Sequence, residues 1–178
     1  MKPILTERQV ALSIKRLAHQ ILENHLQLKD VVLIGLQPRG IFLSDKIVEE
    51  LKTLVPHSAI QYGQLDITFY RDDVRKGIHI ANSTNIHFTI EGKTVVLIDD
   101  VLWTGRTARA ALDALLDFGR PSKVELCVLI DRRFSRELPI QANYAGRAID
   151  TYSSQKVKVF WNDTHANNEV LLLEKDEE

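Results

Sequence analysis

The sequence predicts an α/β fold with a doubly wound, mostly parallel central sheet flanked by helices. Residues 31–36, 95–98 and 124–130 are runs dominated by Val, Ile and Leu, the pattern of strands buried on both faces. Each run ends in a loop of glycine or charged residues, and the first two lead into segments with apolar residues at helical spacing, as βαβ units do. A chain of 178 residues, 44% hydrophobic and 26% charged, is long enough to enclose one core and short for two, so one domain over residues 1–178 is expected.

Taken in order, Thr6-Glu7-Arg8-Gln9 reads as a capping box. Val10, Ile14, Leu17, Ala18 and Ile21 then recur at helical spacing, predicting a helix over about Glu7–Asn24. Its opposite face groups Lys15, Arg16 and His19, a spacing that a solvated face explains better than a binding surface does. The strand at 31–36 ends in Gly35-Leu36-Gln37-Pro38-Arg39-Gly40, and a helix follows through Ile47, Val48, Leu51 and Leu54. The two glycines have the outer spacing of a P-loop, but Ile41 and Phe42 stand where Lys and Ser/Thr are required. That excludes a nucleoside triphosphatase and leaves a turn in which Arg39 and backbone amides can take an anion.

Leu65, Ile67 and Phe69 alternate with polar residues, so residues 61–70 read as a strand covered on one face. After Arg71-Asp72-Asp73 the pattern weakens. Ile78, Ile80, Ile86, Phe88 and Ile90 suggest a hairpin with its tip at Asn82-Ser83-Thr84-Asn85, and a flexible flap is expected from Arg71 to His87, reaching about residue 90. Residues 94–107, Thr-Val-Val-Leu-Ile-Asp-Asp-Val-Leu-Trp-Thr-Gly-Arg-Thr, form the centre of the chain. Asp99 and Asp100 fall where the strand should end, the place where open α/β sheets bind ligands. Thr104, Gly105 and Thr107 open a helix over about residues 106–118, stopped by Gly119 and Pro121, and its N-terminus supplies an anion site. Carboxylates beside such a site suggest a phosphorylated sugar.

The strand at 124–130 holds Cys127, expected as a buried core thiol, and ends in Asp131-Arg132-Arg133-Phe134. Tyr144, Ile149, Val157, Val159, Phe160 and residues 170–173 suggest short β segments forming a small hood, with a solvated acidic tail over 174–178. The loops at Arg39, at 99–107 and at Arg132 should converge on one sheet edge. A net charge of −1 argues against a globally basic nucleic-acid binder while leaving room for a local patch. No apolar run approaches a membrane span and the first residues carry no secretory pattern, so a cytoplasmic location without membrane association is expected.

The stretch 94–107 resembles the signature of the type I phosphoribosyltransferases, in which the acidic pair holds the ribose hydroxyls of phosphoribosyl diphosphate (PRPP) and the Thr-Gly loop wraps its 5′-phosphate. Leu65-Asp66-Ile67-Thr68-Phe69-Tyr70-Arg71-Asp72-Asp73, Asp117-Phe118-Gly119-Arg120-Pro121-Ser122 and Arg136-Glu137-Leu138-Pro139-Ile140 extend the likeness to the PyrR family, bifunctional pyrimidine-operon regulators with uracil phosphoribosyltransferase activity. The chain departs from that pattern at Pro38, at an additional residue between Arg132 and Arg136, and at Gln141.

The resemblance implies transfer of phosphoribose from PRPP to uracil, giving UMP and diphosphate, with Mg²⁺ held mainly by substrate and water rather than by the protein alone. It implies PRPP contacts at Pro38, Arg39, Gly40, Asp99, Asp100, Val101, Leu102, Trp103, Thr104, Gly105, Arg106 and Thr107. Catalytic roles fall to Asp99, Asp100, Arg39 and Arg71, and nucleobase contacts to Arg132 and Val157. It further implies a cis bond at Gln37–Pro38, a homodimer or higher homo-oligomer, and binding of pyrimidine-operon leader mRNA through Lys15, Arg16, His19, Arg136 and Arg147. An RNA-binding regulator that keeps the site as a nucleotide sensor, and a phosphoribosyltransferase for hypoxanthine or guanine, are the alternatives.

Overall fold

The computed structural model describes residues 2–72, 83–152 and 154–174. Its elements are β1 (Lys2–Leu5), α1 (Glu7–Asn24), β2 (Val31–Leu36), α2 (Gly40–Leu54), β3 (Gln61–Leu65), β4 (Thr94–Leu102), α3 (Arg106–Leu115), β5 (Lys123–Arg133), β6 (Tyr144–Asp150), β7 (Gln155–Phe160) and β8 (Glu169–Glu174). A five-stranded parallel sheet runs in the order β3-β2-β4-β5-β6, and an antiparallel three-stranded sheet, β1-β8-β7, forms the hood.

Successive side chains of the central strands serve opposite faces, which is why the strands read as unbroken apolar runs. Leu33, Val96, Ile98, Cys127 and Leu129 join Leu17, Ile21, Leu43, Ile47 and Leu51 of α1 and α2 in one core. Val32, Ile34, Val95, Leu97 and Val128 join Ala108, Ala111 and Leu115 of α3 in the other. The strand order reverses direction between β2 and β4, so the crevice beyond their carboxyl ends is the topological switch point. Cys127 is fully buried, and that burial pushes its thiol up.

The helices answer the sequence closely. α1 has the expected bounds, and the Thr6 N–H donates to Gln9 Oε1 at 2.9 Å. Gln37–Pro38 is cis.

Several expectations need correction. β4 runs on through both aspartates to Leu102, and β5 through Arg132 to Arg133, so these charged residues lie within strands rather than beyond them. Pairing between the two strands continues to Leu102 and Asp131, whereas β2 leaves β4 at Ile98. β3 stops at Leu65, because Asp66 Oδ1 accepts from the Thr68 N–H at 3.0 Å and its hydroxyl at 2.6 Å and bends the chain into a 3₁₀ turn over Thr68–Tyr70. Phe69 is therefore exposed while Ile67 is buried.

The tip of the expected flap hairpin and residues 73–82 lie outside the described residues, apart from 83–85. Within the described residues 83–90 the chain makes one isolated antiparallel bridge, Gln64 to Asn85, rather than a strand. Ile86, Phe88 and Ile90 turn instead into the α3-side core. α3 ends at Leu115, and Gly119, at φ +134°, closes the following turn. β1 carried no sequence signal, since four residues containing a proline are too few to show a period.

Candidate functional site

Beyond the carboxyl ends of the central strands lies a cavity of about 730 Å³. Arg39, Arg71, Asp99 through Thr107, Arg132 and Val157 all line it, so the loops expected to converge do so. Pro38 and Gly40 stand behind the wall. Gly40 opens α2 against β4, where an added Cβ would sit 2.4 Å from the Ile98 carbonyl oxygen and 3.0 Å from the Asp99 Cα. Only glycine lets the Arg39 turn close onto the acidic strand.

Asp99 and Asp100 occupy successive positions on β4 after β2 has diverged, which puts two carboxylates at the switch point. Asp100 is buried and Oδ2 accepts from Arg39 Nε at 2.9 Å, while Arg39 Nη2 donates to the Val159 carbonyl at 2.5 Å. Burial pushes Asp99 up to about 7, with the neighbouring Asp100 charge adding to the rise and the Asp100 N–H, Arg71 and Arg39 opposing it. Asp100 also moves up through burial, against the pull of Arg39.

The next wall is the turn into α3. Gly105 has φ +94° and packs against Ile140, which an added Cβ would meet at 3.0 Å. The Thr104 carbonyl accepts from Glu137 N–H at 3.0 Å and Leu138 N–H at 3.2 Å, so residues 136–140 brace the loop from outside. The first-turn N–H groups of α3 have no acceptor within the helix, and no acidic residue stands in that turn. Arg71 Nη1 donates to Thr107 Oγ1 at 3.3 Å, and Asp72 pairs with Arg106 at 2.8 Å. This is a cradle for an anion, flanked by cations.

The far end of the cavity is the hood edge. β7 is an edge strand, and its Gln155 and Val159 carbonyls accept from Arg132 and Arg39. Residues two apart in a strand turn their backbone groups the same way, so the Val157 N–H and C=O point to the same free edge. Arg132 is buried, with Nε donating to Thr151 Oγ1 at 3.0 Å and Nη2 to Gln155 O at 2.9 Å and to Tyr152 O at 3.4 Å. It is a strut between sheet and hood, with its face on Trp103 at 4.8 Å. Burial pulls this guanidinium below its ordinary range.

Ser154, Gln155, Lys156, Lys158 and Glu137 also line the cavity and were not singled out from the sequence. The basic alternation Lys156, Lys158 on a short strand was the available signal for two of them.

The expected basic face divides. Lys15, Arg16 and His19 are exposed on α1, and Arg16 donates to the Gly146 carbonyl beside exposed Arg147, so these four residues share one surface. Arg136 is not part of it. Its guanidinium donates to the Ile140 and Arg132 carbonyls at 2.9 Å and to Asp131 and Trp103, which makes it an internal brace of the 131–140 loop.

Among the described residues no group of three or more His, Cys, Asp or Glu side chains could hold a metal, and no helix is long and apolar enough to cross a membrane.

The phosphoribosyl transferase domain matches residues 2–167. A bifunctional protein PyrR of Desulfosudis oleivorans is 44% identical over 172 residues, covering 96% of this chain and 94% of its own. That of Bacillus pumilus is 42% identical over 176 residues, with 97% of each chain covered. Among solved structures, a hypoxanthine phosphoribosyltransferase from Trypanosoma cruzi superposes with a TM-score of 0.76 at 18% identity, covering 98% of this chain and 96% of that one. One from Staphylococcus aureus gives 0.66 at 22% identity over 85% and 79%. Likeness at that level of identity is likeness of fold.

Proposed function

The chain belongs to the phosphoribosyl transferase family and within it to the PyrR proteins, and on that premise we propose that it transfers phosphoribose from PRPP to uracil, forming UMP and diphosphate. One observation carries the reading: two adjacent carboxylates, an anion cradle at a helix N-terminus and an arginine turn face one another across a single cavity.

Breaking the bond at the anomeric carbon puts positive charge on the ribose and negative charge on the departing diphosphate. Asp99 and Asp100 accept hydrogen bonds from the ribose hydroxyls and lie beside the developing cation. Thr104, Gly105, Arg106 and Thr107 hold the 5′-phosphate with backbone and hydroxyl donors, next to the side chain of Arg71. Arg39 stands on the diphosphate side, with Pro38 and Gly40 setting the turn. The Val157 N–H and C=O offer one donor and one acceptor, the complement of an imide edge, and Arg132 fixes their position. Val101, Leu102 and Trp103 close the cavity floor against water.

Mg²⁺ suits this site in the way hard cations usually bind substrates, through one or two carboxylates with phosphate oxygens and water. Asp99 and Asp100 are the residues able to contribute, and the ion would neutralise the leaving diphosphate.

Incubating the protein with PRPP, Mg²⁺ and a free base tests the assignment: UMP forms from uracil, and turnover of hypoxanthine in its place overturns it.

A second activity has its own observation. Lys15, Arg16, His19 and Arg147 form an exposed basic surface away from the cavity, on a chain whose net charge is −1. This surface suits the phosphates of a leader RNA, with UMP as the modulating ligand and a homodimer or higher oligomer presenting more than one copy. Electrophoretic or fluorescence titration with leader RNA, with and without UMP and across salt concentrations, tests it. Affinity that does not fall with salt overturns the phosphate contact.

A further inference from the structure

Arg109 sits in the first turn of α3, where the helix dipole disfavours a cation, and shares one face of the helix with Arg106. It is not among the described residues that line the cavity. Its guanidinium nevertheless reaches toward the cavity's edge. Nη1 donates to Asp113 Oδ2 at 3.0 Å, while Nη2 donates to the Tyr70 carbonyl at 3.3 Å and stands 3.4 Å from Asp72 Oδ2. Asp72 is also held by Arg106 at 2.8 Å, and the Tyr70 hydroxyl donates to Asp117. An arginine followed by an acid four residues later is the less favourable order for a helix, so the Asp113 pair orients Arg109 more than it supports α3.

Tyr70 and Asp72 flank Arg71, whose Nη1 donates to Thr107 Oγ1 at 3.3 Å in the phosphate cradle. A long side chain carries much rotamer freedom, and fixing the backbone on both sides of it lowers what remains to be lost on binding. We infer that Arg109 is a positioning residue for phosphoribose binding: from outside the cavity it fixes residues 70–72 on α3 and so aims Arg71 at the phosphate cradle. This inference deepens the phosphoribose-transfer reading and rests on it.

Calorimetric titration with PRPP, on the full chain as wild type, R109Q, R109K, R71A and R71A/R109Q, measures the effect, with UMP formation and melting temperature followed in parallel. R109Q weakens PRPP binding by about tenfold or more, the scale of a misplaced contact. R109K recovers only part, since an ammonium cannot bridge Asp113 and residues 70–72 with a fixed fork. In the R71A background, R109Q costs less than about twofold more, because the side chain it aims is gone. Should R109Q melt below the assay temperature, D72N at an exposed position carries the same cycle with R71A. Unchanged PRPP affinity in R109Q, or the same loss in R71A as in the wild type, overturns the inference. PRPP binding requires no base, so a wild type that binds PRPP and forms no UMP overturns the uracil reading while the binding cycle still decides the role of Arg109.

Discussion

Arg39 Nε and Asp100 Oδ2 stand 2.9 Å apart, joining the turn after β2 to the carboxylate on β4. Because Arg39 also reaches the Val159 carbonyl of β7, one guanidinium spans the crevice from sheet to hood. Asp100 is buried and Arg39 is open to the cavity, so the pair is a carboxylate capped at the wall where diphosphate would leave.

Replacing Arg39 with Ala should lower kcat/KM for PRPP by roughly 10²–10³, the usual cost of one preorganised charge donor. Arg39→Lys recovers only part, since a point charge cannot span both partners. Diphosphate release measures it, and a loss under about threefold would reduce the pair to scaffolding.

Burial pushes the Asp99 carboxyl up from its ordinary 3.8 to about 7 in the folded chain. Between those values the folded state holds more protons than the unfolded one, so without ligand this group makes stability fall as pH rises from about 4 to 7. PRPP affinity in the absence of Mg²⁺ should move the other way and rise through pH 7 as the carboxylate forms. Asp99→Asn should remove both trends, raising the melting temperature at pH 8 while lowering turnover. Calorimetry and PRPP titration across pH 5 to 9 read them separately.

Gly40→Ala tests the close approach of α2 to β4. Alanine suits a helix, but its Cβ would meet the Ile98 carbonyl oxygen at 2.4 Å, so the turn carrying Arg39 must move. Turnover should fall by about 10², the effect of an ångström of misplacement, with a smaller loss of stability. Wild-type kinetics in this variant would show that the turn tolerates the shift.

At the opposite sheet edge, Glu125 is buried with Lys123 at 2.6 Å, Tyr144 at 2.7 Å and His25 at 2.9 Å. Burial alone would raise its carboxyl, but those hydrogen bonds outweigh it and hold it at about 2. The unfolded chain therefore binds the proton first, and this contribution is intact above about 4.5 and lost as pH falls toward 2. Glu125→Gln should cost about 1–3 kcal/mol at pH 7 and flatten the acid limb of the stability profile, as urea unfolding at pH 3 and pH 7 would reveal.

Much of this molecule could be read in one dimension. Residues 31–36 and 95–98 announced buried strands because both faces are covered, and Asp99 and Asp100 stood out because charge follows apolar sequence so abruptly. The reading failed where a side chain redirects the backbone or where a contact is remote. Asp66 ends β3 through its own hydrogen bonds to Thr68, a choice hidden by the apolar alternation at Leu65, Ile67 and Phe69. Arg136 was taken for a surface cation, yet its partners at Trp103, Asp131 and Ile140 hold it half-buried as a brace. Arg132 lines the cavity, but its strut geometry depends on Thr151, Tyr152 and Gln155 and no spacing rule foretells it.

The hood joins β1 at residues 2–5 to β8 at residues 169–174. β1 and the central strand β8 come from opposite ends of the described chain, and a ribosome delivers residues in order. The phosphate cradle and acidic strand can assemble from the middle of the nascent polypeptide, but the edge carrying Val157 has no hydrogen-bonded neighbour until β8 has been synthesised. Grip on the sugar phosphate should thus precede discrimination among bases during biogenesis, and a truncated translation product would hold PRPP without a wall to choose its acceptor.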